Sequence, residues 1–306
     1  MKKIFYWILE SNFGDLLNIY TVPKMLNTRV KWASPDNAEF MCIGSLLSTI
    51  ILKHSVFNLI KRLFKPIKIL GIGSIDGVHQ IAYQNIPRCN WLCVRGKLTK
   101  KILQDNFKQN MDNCAVGDLG ILTSDYFDYK AIQKQYDFGI IFHHSENALN
   151  YKINTNNKSS LIIDVSNDVE TVLKQIASCK CILSSSLHGL IVADSFNIPN
   201  KWICASSELI AAQKFKYLDY YSSLDIYDNI FSNFSDLILD ENLFNDISNE
   251  FQTRIAKIEE LKNYLRYIIK NYKKIKSYGF SFVEGISNII FMFRRNIKNL
   301  LKRTVI

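Results

Sequence analysis

The sequence has no run of 18 or more apolar residues, so no membrane-spanning helix is expected from it. The apolar stretch after Lys2-Lys3, from Ile4 to Leu9, is too short for a secretory leader, and Glu10 breaks it. No C-x-x-C pair occurs among the cysteines at 42, 89, 93, 114, 179, 181 and 204. An odd set lying mostly in apolar runs fits reduced, buried thiols in the cytoplasm better than disulfides or a zinc site. Low-complexity segments and repeats of short fixed period are absent too, and with 48% hydrophobic and 12% aromatic residues the chain is globular. The C-terminal segment lacks acid. Residues 262–306 hold eleven Lys and Arg against Glu284 alone, which accounts for the whole net charge of +10. The preceding 261 residues are therefore neutral, and overall basicity is no argument for a nucleic-acid partner.

What is present is a series of apolar runs, each ending in glycine plus a polar residue. A chain of 306 residues exceeds the usual single core, and two domains are expected. Strands are predicted at 3–9, 40–43, 67–70, 91–94 and 114–116. They deliver Asn12-Phe13-Gly14-Asp15, Gly44-Ser45, Gly71-Ile72-Gly73-Ser74, Arg95-Gly96 with Thr99, and Gly117-Asp118-Leu119-Gly120 to loops. After a polar stretch near 124–136 the pattern restarts, with strands at 137–142, 160–165, 181–183 and 201–204. A helix over 169–178 is capped by Asp168. Ten of the twelve glycines fall at or before position 189, mostly in these loops. The predicted architecture is α/β, with two doubly wound Rossmann-like domains facing a cleft. Their bounds are 1–130 and 131–234, followed by a basic helical extension at 235–306.

The most informative stretch is Ser184-Ser185-Ser186-Leu187-His188-Gly189, between a buried strand and a helix stopped by Pro199. A strand entering a helix through small hydroxyl residues makes an anion site, because the first helical N–H groups lack partners and the helix dipole adds positive charge. Gly189 offers close backbone approach and His188 a titratable imidazole. The same residues also fit a plain helix cap with a packed histidine. Arg95 suits a two-bond grip on a carboxylate or phosphate, or else a surface ion pair. His143 and His144 are adjacent on an extended segment, so they point oppositely and joint metal ligation is not expected. Asp15 and Asp118 either orient a hydroxyl or a histidine, or cap their loops. Gly71-x-Gly73 lacks the third glycine and the ribose-binding acid of a dinucleotide site.

Taken in order, Asn12-Phe13-Gly14-Asp15, Gly73-Ser74, Arg95-Gly96-x-x-Thr99, Gly117-Asp118-Leu119-Gly120 and Ser185-Ser186-Leu187-His188-Gly189 resemble the polysaccharide pyruvyl transferase family. The resemblance runs over roughly residues 5 to 225, including Lys214-Phe215 and Asp219-Tyr220-Tyr221. It implies an architecture similar to B-type glycosyltransferases and transfer of pyruvate from phosphoenolpyruvate, as a ketal, onto a sugar. It implies His188, Arg95 and Asp15 as catalytic. Donor and substrate would be held by Asn12, Gly14, Gly73, Ser74, Gly96, Thr99, Gly117, Asp118, His143, His144, Ser185, Ser186, Leu187 and Gly189. In some members an arginine stands two residues before the motif histidine; here that position is Ser186. His188 is expected to supply the proton for the donor's methylene carbon near neutral pH. No metal or other cofactor is expected, and phosphoenolpyruvate is the donor substrate.

The acceptor is expected on a lipid-linked precursor at the inner face of the membrane. There the stripe Ile297, Leu300, Leu301 beside Lys298, Lys302 and Arg303 suits an anionic surface. A sugar-nucleotide glycosyltransferase is the alternative. Such enzymes usually carry a Glu at the motif helix start and another about seven residues on, where this chain has His188-Gly189 and Asp194-Ser195. A non-catalytic glycan- or phospholigand-binding protein is the third reading, and the retained His188 argues against it.

Overall fold

The computed structural model describes residues 1–8, 12–51, 60–62, 64–77, 88–146, 153–204, 207–228 and 231–273. Among the described residues eleven strands form two sheets in which every pairing is parallel. The first contains β1 (Lys2–Phe5), β2 (Val30–Trp32), β3 (Phe40–Met41), β4 (Ile67–Ile72), β5 (Cys89–Val94) and β6 (Ala115–Val116) in the order β2-β1-β3-β4-β5-β6. The second contains β7 (Tyr136–Ile141), β8 (Ser160–Ile162), β9 (Cys179–Ser184), β10 (Asn200–Cys204) and β11 (Phe231–Asn233) in the order β11-β10-β9-β7-β8.

Near-continuous apolar strands are what a sheet covered on both faces requires. Along β1, Ile4 enters one core while Phe5 enters another on the opposite face. Along β9, Cys179 and Ile182 join the first core while Cys181 and Leu183 face a third. Both sheets are therefore doubly wound, as the strand–loop–helix series predicts. The short edge strands β2 and β11 escape prediction because three residues with exposed positions carry no buried run.

Each sheet begins in its interior, sends its second strand to one side and its third to the other. Strand order thus reverses between β1 and β3, and again between β7 and β9. Loops at the carboxyl ends of strands flanking such a reversal diverge and leave a crevice for ligand. The two reversals face each other. Helix Phe13–Tyr20, after β1, packs against helix Leu187–Ser195, after β9, and the Phe13 N–H donates to Val165 O at 3.0 Å. One apolar core, from Phe13 and Leu17 to Leu190 and Ile191, runs through both halves.

Helix Glu241–Gln252 is capped by Asp240, which accepts from Leu243 N at 2.9 Å, and it packs on β9 and β10. Helix Ile255–Asn271 returns to the 3-10 helix Leu119–Asp125 of the first half. Its Lys262 is buried and donates to Ser195 O at 2.8 Å, and Arg266 forms an ion pair with Asp125. Lys262 thus belongs to the packed body, whereas the Arg266 side chain stays 40% exposed. The stripe at 297–303 lies outside the described residues. Among the described residues no helix is long and apolar enough to cross a membrane.

Candidate active site

A cavity of about 290 Å³ sits where the two reversals meet. Trp7, Asn12 and Asp15 reach it from the loop after β1, Gly44 and Ser45 from the loop after β3, and Ile75 from beyond β4. From the second half come His143 and His144 after β7, Ser186, Leu187 and His188 after β9, and Gln213 and Lys216 from helix Ser207–Ser222. The sequence-predicted Asn12, Asp15, His143, His144, Ser186, Leu187 and His188 are thus brought together.

His188 lies in the first turn of helix Leu187–Ser195. The N-cap, Ser186, makes no side-chain capping bond, and its extended backbone presents the helix start at the cavity. The imidazole rests on Gly14, where a Cβ would lie 2.1 Å from its Nδ1. On the other side, Nε2 faces Asp118 Oδ2 at 3.9 Å. That distance is within ion-pair reach, yet neither atom has a hydrogen-bond partner among the described residues. Burial, with Arg95 and Lys216 adding to it, pushes the imidazole down to about 3. Burial pushes Asp118 up to about 6, against the Gly120 N–H that its Oδ1 accepts at 2.8 Å. At neutral pH the pair is a neutral ring facing a carboxylate, and Nδ1 is the nitrogen left for the cavity. Burial thus favours the neutral His188 ring, and a neighbouring anion would favour the protonated one.

Lys216 is a cation that sequence reasoning missed. It is 7% exposed, lines the cavity, and donates to His143 Nε2 at 3.3 Å and to Gln213 Oε1. Burial and the Arg95 charge bring its ammonium down to about 7, with Asp15 and Glu146 pulling the other way. The signal was there: 216, 217, 220 and 221 form a buried stripe of this helix, and a lysine inside an apolar stripe requires a reason, whereas Lys214 is exposed. His143 is itself kept neutral, at about 3, by burial and then by Lys216 and His144. Its Nε2 faces Lys216, while its Nδ1 lies 2.8 Å from Ser145 Oγ and 3.3 Å from Ser145 N. The two adjacent histidines do not point oppositely. Their segment turns after β7, and the rings lie 4.2 Å apart at 39°.

Several of the predicted ligand residues contact other parts of the chain. Arg95 is fully buried and behind the cavity wall, donating from Nε to Asp219 Oδ2 at 3.1 Å, from Nη1 to Ser45 Oγ at 2.8 Å, and from Nη2 to Ser74 O. Gly73 leaves room for that guanidinium, since a Cβ there would meet Cζ at 2.4 Å. Thr99 donates from N and Oγ1 to Asp219, at 2.8 and 2.6 Å, and accepts from Ser74 N at 3.1 Å. A Cβ at Gly96 would stand 1.7 Å from Asp219 O. Arg95, Thr99 and Asp219 thus tie the first half to helix Ser207–Ser222. Gly117 has φ +147 and packs on Leu261 and Leu265, not on ligand. Gly189 packs on Ser184 Oγ and Ile141. Ser185 is spent on bonds with Glu146, His143 N and the Tyr217 hydroxyl. Arg95→Met is expected to cost about 3–5 kcal/mol in urea unfolding, the usual loss when one partner of a buried ion pair is removed. A loss of donor affinity at unchanged stability would place Arg95 in the cavity after all.

Among the described residues no group of three His, Cys, Asp or Glu could hold a metal ion. Two parallel α/β halves thus meet at a cavity that combines an imidazole backed by a carboxylate with a buried amine. A family model for polysaccharide pyruvyl transferase matches residues 28–203, more than half of the chain, and the chain belongs to that family. The family is one of transferases that place pyruvyl groups on polysaccharide. An uncharacterized protein of Acanthamoeba polyphaga mimivirus is 28% identical over 254 residues, 80% of this chain and 82% of its own. A crystal structure of Methanocaldococcus jannaschii UDP-GlcNAc 2-epimerase with UDP-GlcNAc and UDP aligns over 95% of this chain and 98% of its own, at 10% identity and a TM-score of 0.39.

Proposed function

We propose that the chain transfers the pyruvyl unit of phosphoenolpyruvate, as a ketal, onto two hydroxyls of one sugar in a cell-surface polysaccharide or its lipid-linked precursor. The observation supporting this reading is a cavity lined by His188, which Asp118 backs at 3.9 Å, together with the Lys216 amine and a helix start. The donor's carboxylate and phosphate bind the ammonium and the first-turn N–H groups. Their charge raises His188, which then gives its proton to the methylene carbon and leaves an oxocarbenium-like centre at C2. The first sugar hydroxyl attacks that centre and returns a proton to His188. The C2–O bond to phosphate breaks, and the second hydroxyl closes the ketal, its proton leaving with the phosphate. Donor and diol become ketal and inorganic phosphate. General acid–base help of this kind is worth roughly 10²–10⁴-fold.

The basic residues at 294–303 suit, as a sequence feature, an acceptor held at a membrane. The test is phosphate release from phosphoenolpyruvate by the purified chain, over a panel of lipid-linked glycans and their soluble analogues. Acceptor-dependent release matched by ketal formation is expected. Nucleotide release from a sugar nucleotide, with no phosphate from phosphoenolpyruvate, would replace this reading with a glycosyltransferase.

A further inference from the structure

The two halves line the cavity differently. The second contributes the basic groups His143, His144, His188 and Lys216, whereas the first contributes Asp15, Asn12 and two apolar side chains, Trp7 and Ile75, which stay 40% and 37% exposed. Leaving an indole in water forgoes burial free energy, about 25 cal/mol for each Å² of apolar surface. Trp7 is nonetheless held in place. Its ring meets Phe5 edge-on at 5.4 Å and 72°, and Trp32 Nε1 donates to the carbonyl of Tyr6 at 3.1 Å.

Strand order sets what lies beside it. Strands β1, β3 and β4 are neighbours, so Trp7, Gly44-Ser45 and Ile75 succeed one another along the carboxyl edge of the sheet. Two strand spacings are about 10 Å, wide enough for one hexose ring over the small residues between. At the same wall stand the Asp15 carboxylate and the Asn12 amide, whose Oδ1 caps Gly14 N at 3.0 Å. An aromatic face beside edge-on polar groups matches a pyranose, which has apolar C–H faces and a rim of hydroxyls. Tryptophan combines that apolar area with a polar N–H handle.

We propose that Trp7, with Ile75, is the platform on which the acceptor's pyranose ring stacks, turning its hydroxyl-bearing edge toward His188. The platform rests on the reading that the acceptor is a sugar. Trp7 sets acceptor binding and orientation and leaves donor binding to the other half.

The experiment uses the full chain and two readouts. In the first, methyl β-galactoside, methyl β-glucoside and their β-linked disaccharides are titrated while tryptophan emission is followed. Of the four tryptophans, Trp91 and Trp202 are buried, so the exposed reporters are Trp7 and Trp32. A saturable change is expected in the wild type and in Trp32→Phe, and none in Trp7→Leu. In the second, Trp7→Ala is expected to raise acceptor KM at least about tenfold while donor KM stays within about twofold, with Trp7→Phe recovering most of the loss. A wild type whose emission no sugar moves overturns the platform. So does an active Trp7→Ala enzyme with unaltered acceptor KM, or one whose self-association changes instead. Absence of phosphate release by the wild type with every acceptor would instead defeat the proposed reaction, so the two failures are distinguishable.

Discussion

Lys216→Met is expected to fold normally and to lose about 10²-fold in affinity for the anionic donor. The side chain is cavity-lining and its ammonium is met by two neutral partners, Gln213 and His143. One or two charge-assisted hydrogen bonds to a phosphate or carboxylate are worth about 1.5–3 kcal/mol each, and every 1.4 kcal/mol is about a factor of ten. A structural amine would show its loss in thermal stability. Here the unfolded state holds the proton more tightly, since burial brings the folded-state value down to about 7. Replacement by an apolar side chain of similar length is thus neutral or stabilising toward unfolding. A variant of reduced stability with unchanged donor KM would show that Lys216 only holds the loop after β7.

The pH dependence follows from the same groups. Lys216 faces His143 and is subject to the charges of Arg95, Asp15 and Glu146. As pH rises through about 7 the free enzyme loses this ammonium, so kcat/KM falls on the alkaline side. The donor phosphate's own second ionisation, near about 6, lies below this limb. As pH falls through about 6, Asp118 takes up a proton and stops orienting the His188 ring, which gives the acid limb. A narrow bell between these values is expected. Lys216→Arg, charged throughout, moves the alkaline limb upward, and Asp118→Asn removes the acid limb along with most activity. A profile whose limbs ignore both substitutions would assign them to other groups.

What could be read from sequence was decided by whether a residue's role shows in its immediate neighbours. Apolar runs ending at glycine announce parallel strands because a sheet buried on both faces needs them, and β4, β5, β7 and β9 fell within two residues of expectation. The Ser186-Leu187-His188 turn was legible for the same reason, as strand, hydroxyl and helix are consecutive. Arg95 was legible as important but not in kind. Its partner Asp219 lies 124 residues away on a helix of the other half, and spacing cannot show a guanidinium turned inward. Gly14, Gly73 and Gly96 looked like ligand loops, but each makes room for a side chain or backbone from elsewhere: His188, Arg95 and Asp219. Trp7 and Lys216 needed the three-dimensional assembly. Only the meeting of the two strand-order reversals puts one opposite the other.

Gly14→Ala is expected to lower turnover at least about 10²-fold, with the helix propensity of alanine offsetting part of the cost of moving the ring. Gly14 occupies the first turn of helix Phe13–Tyr20, and alanine is the better helix former by about 1 kcal/mol in a helix interior. Its φ is not in the left-handed region, so no backbone strain opposes the change. The damage is to the neighbour. The new Cβ would lie 2.1 Å from His188 Nδ1 and 2.7 Å from Cγ, so the ring must leave its place opposite Asp118. His188→Ala is expected to cost as much, about 10²-fold or more, by removing the proton carrier outright. The decisive measurement is the double variant. Once the imidazole is gone, the methyl group added at position 14 drops into the space the ring vacated. Gly14→Ala should then be nearly neutral in the His188→Ala background, with the two losses far from multiplicative. Independent, multiplying losses would mean that Gly14 serves the ligand directly and not through the placing of His188.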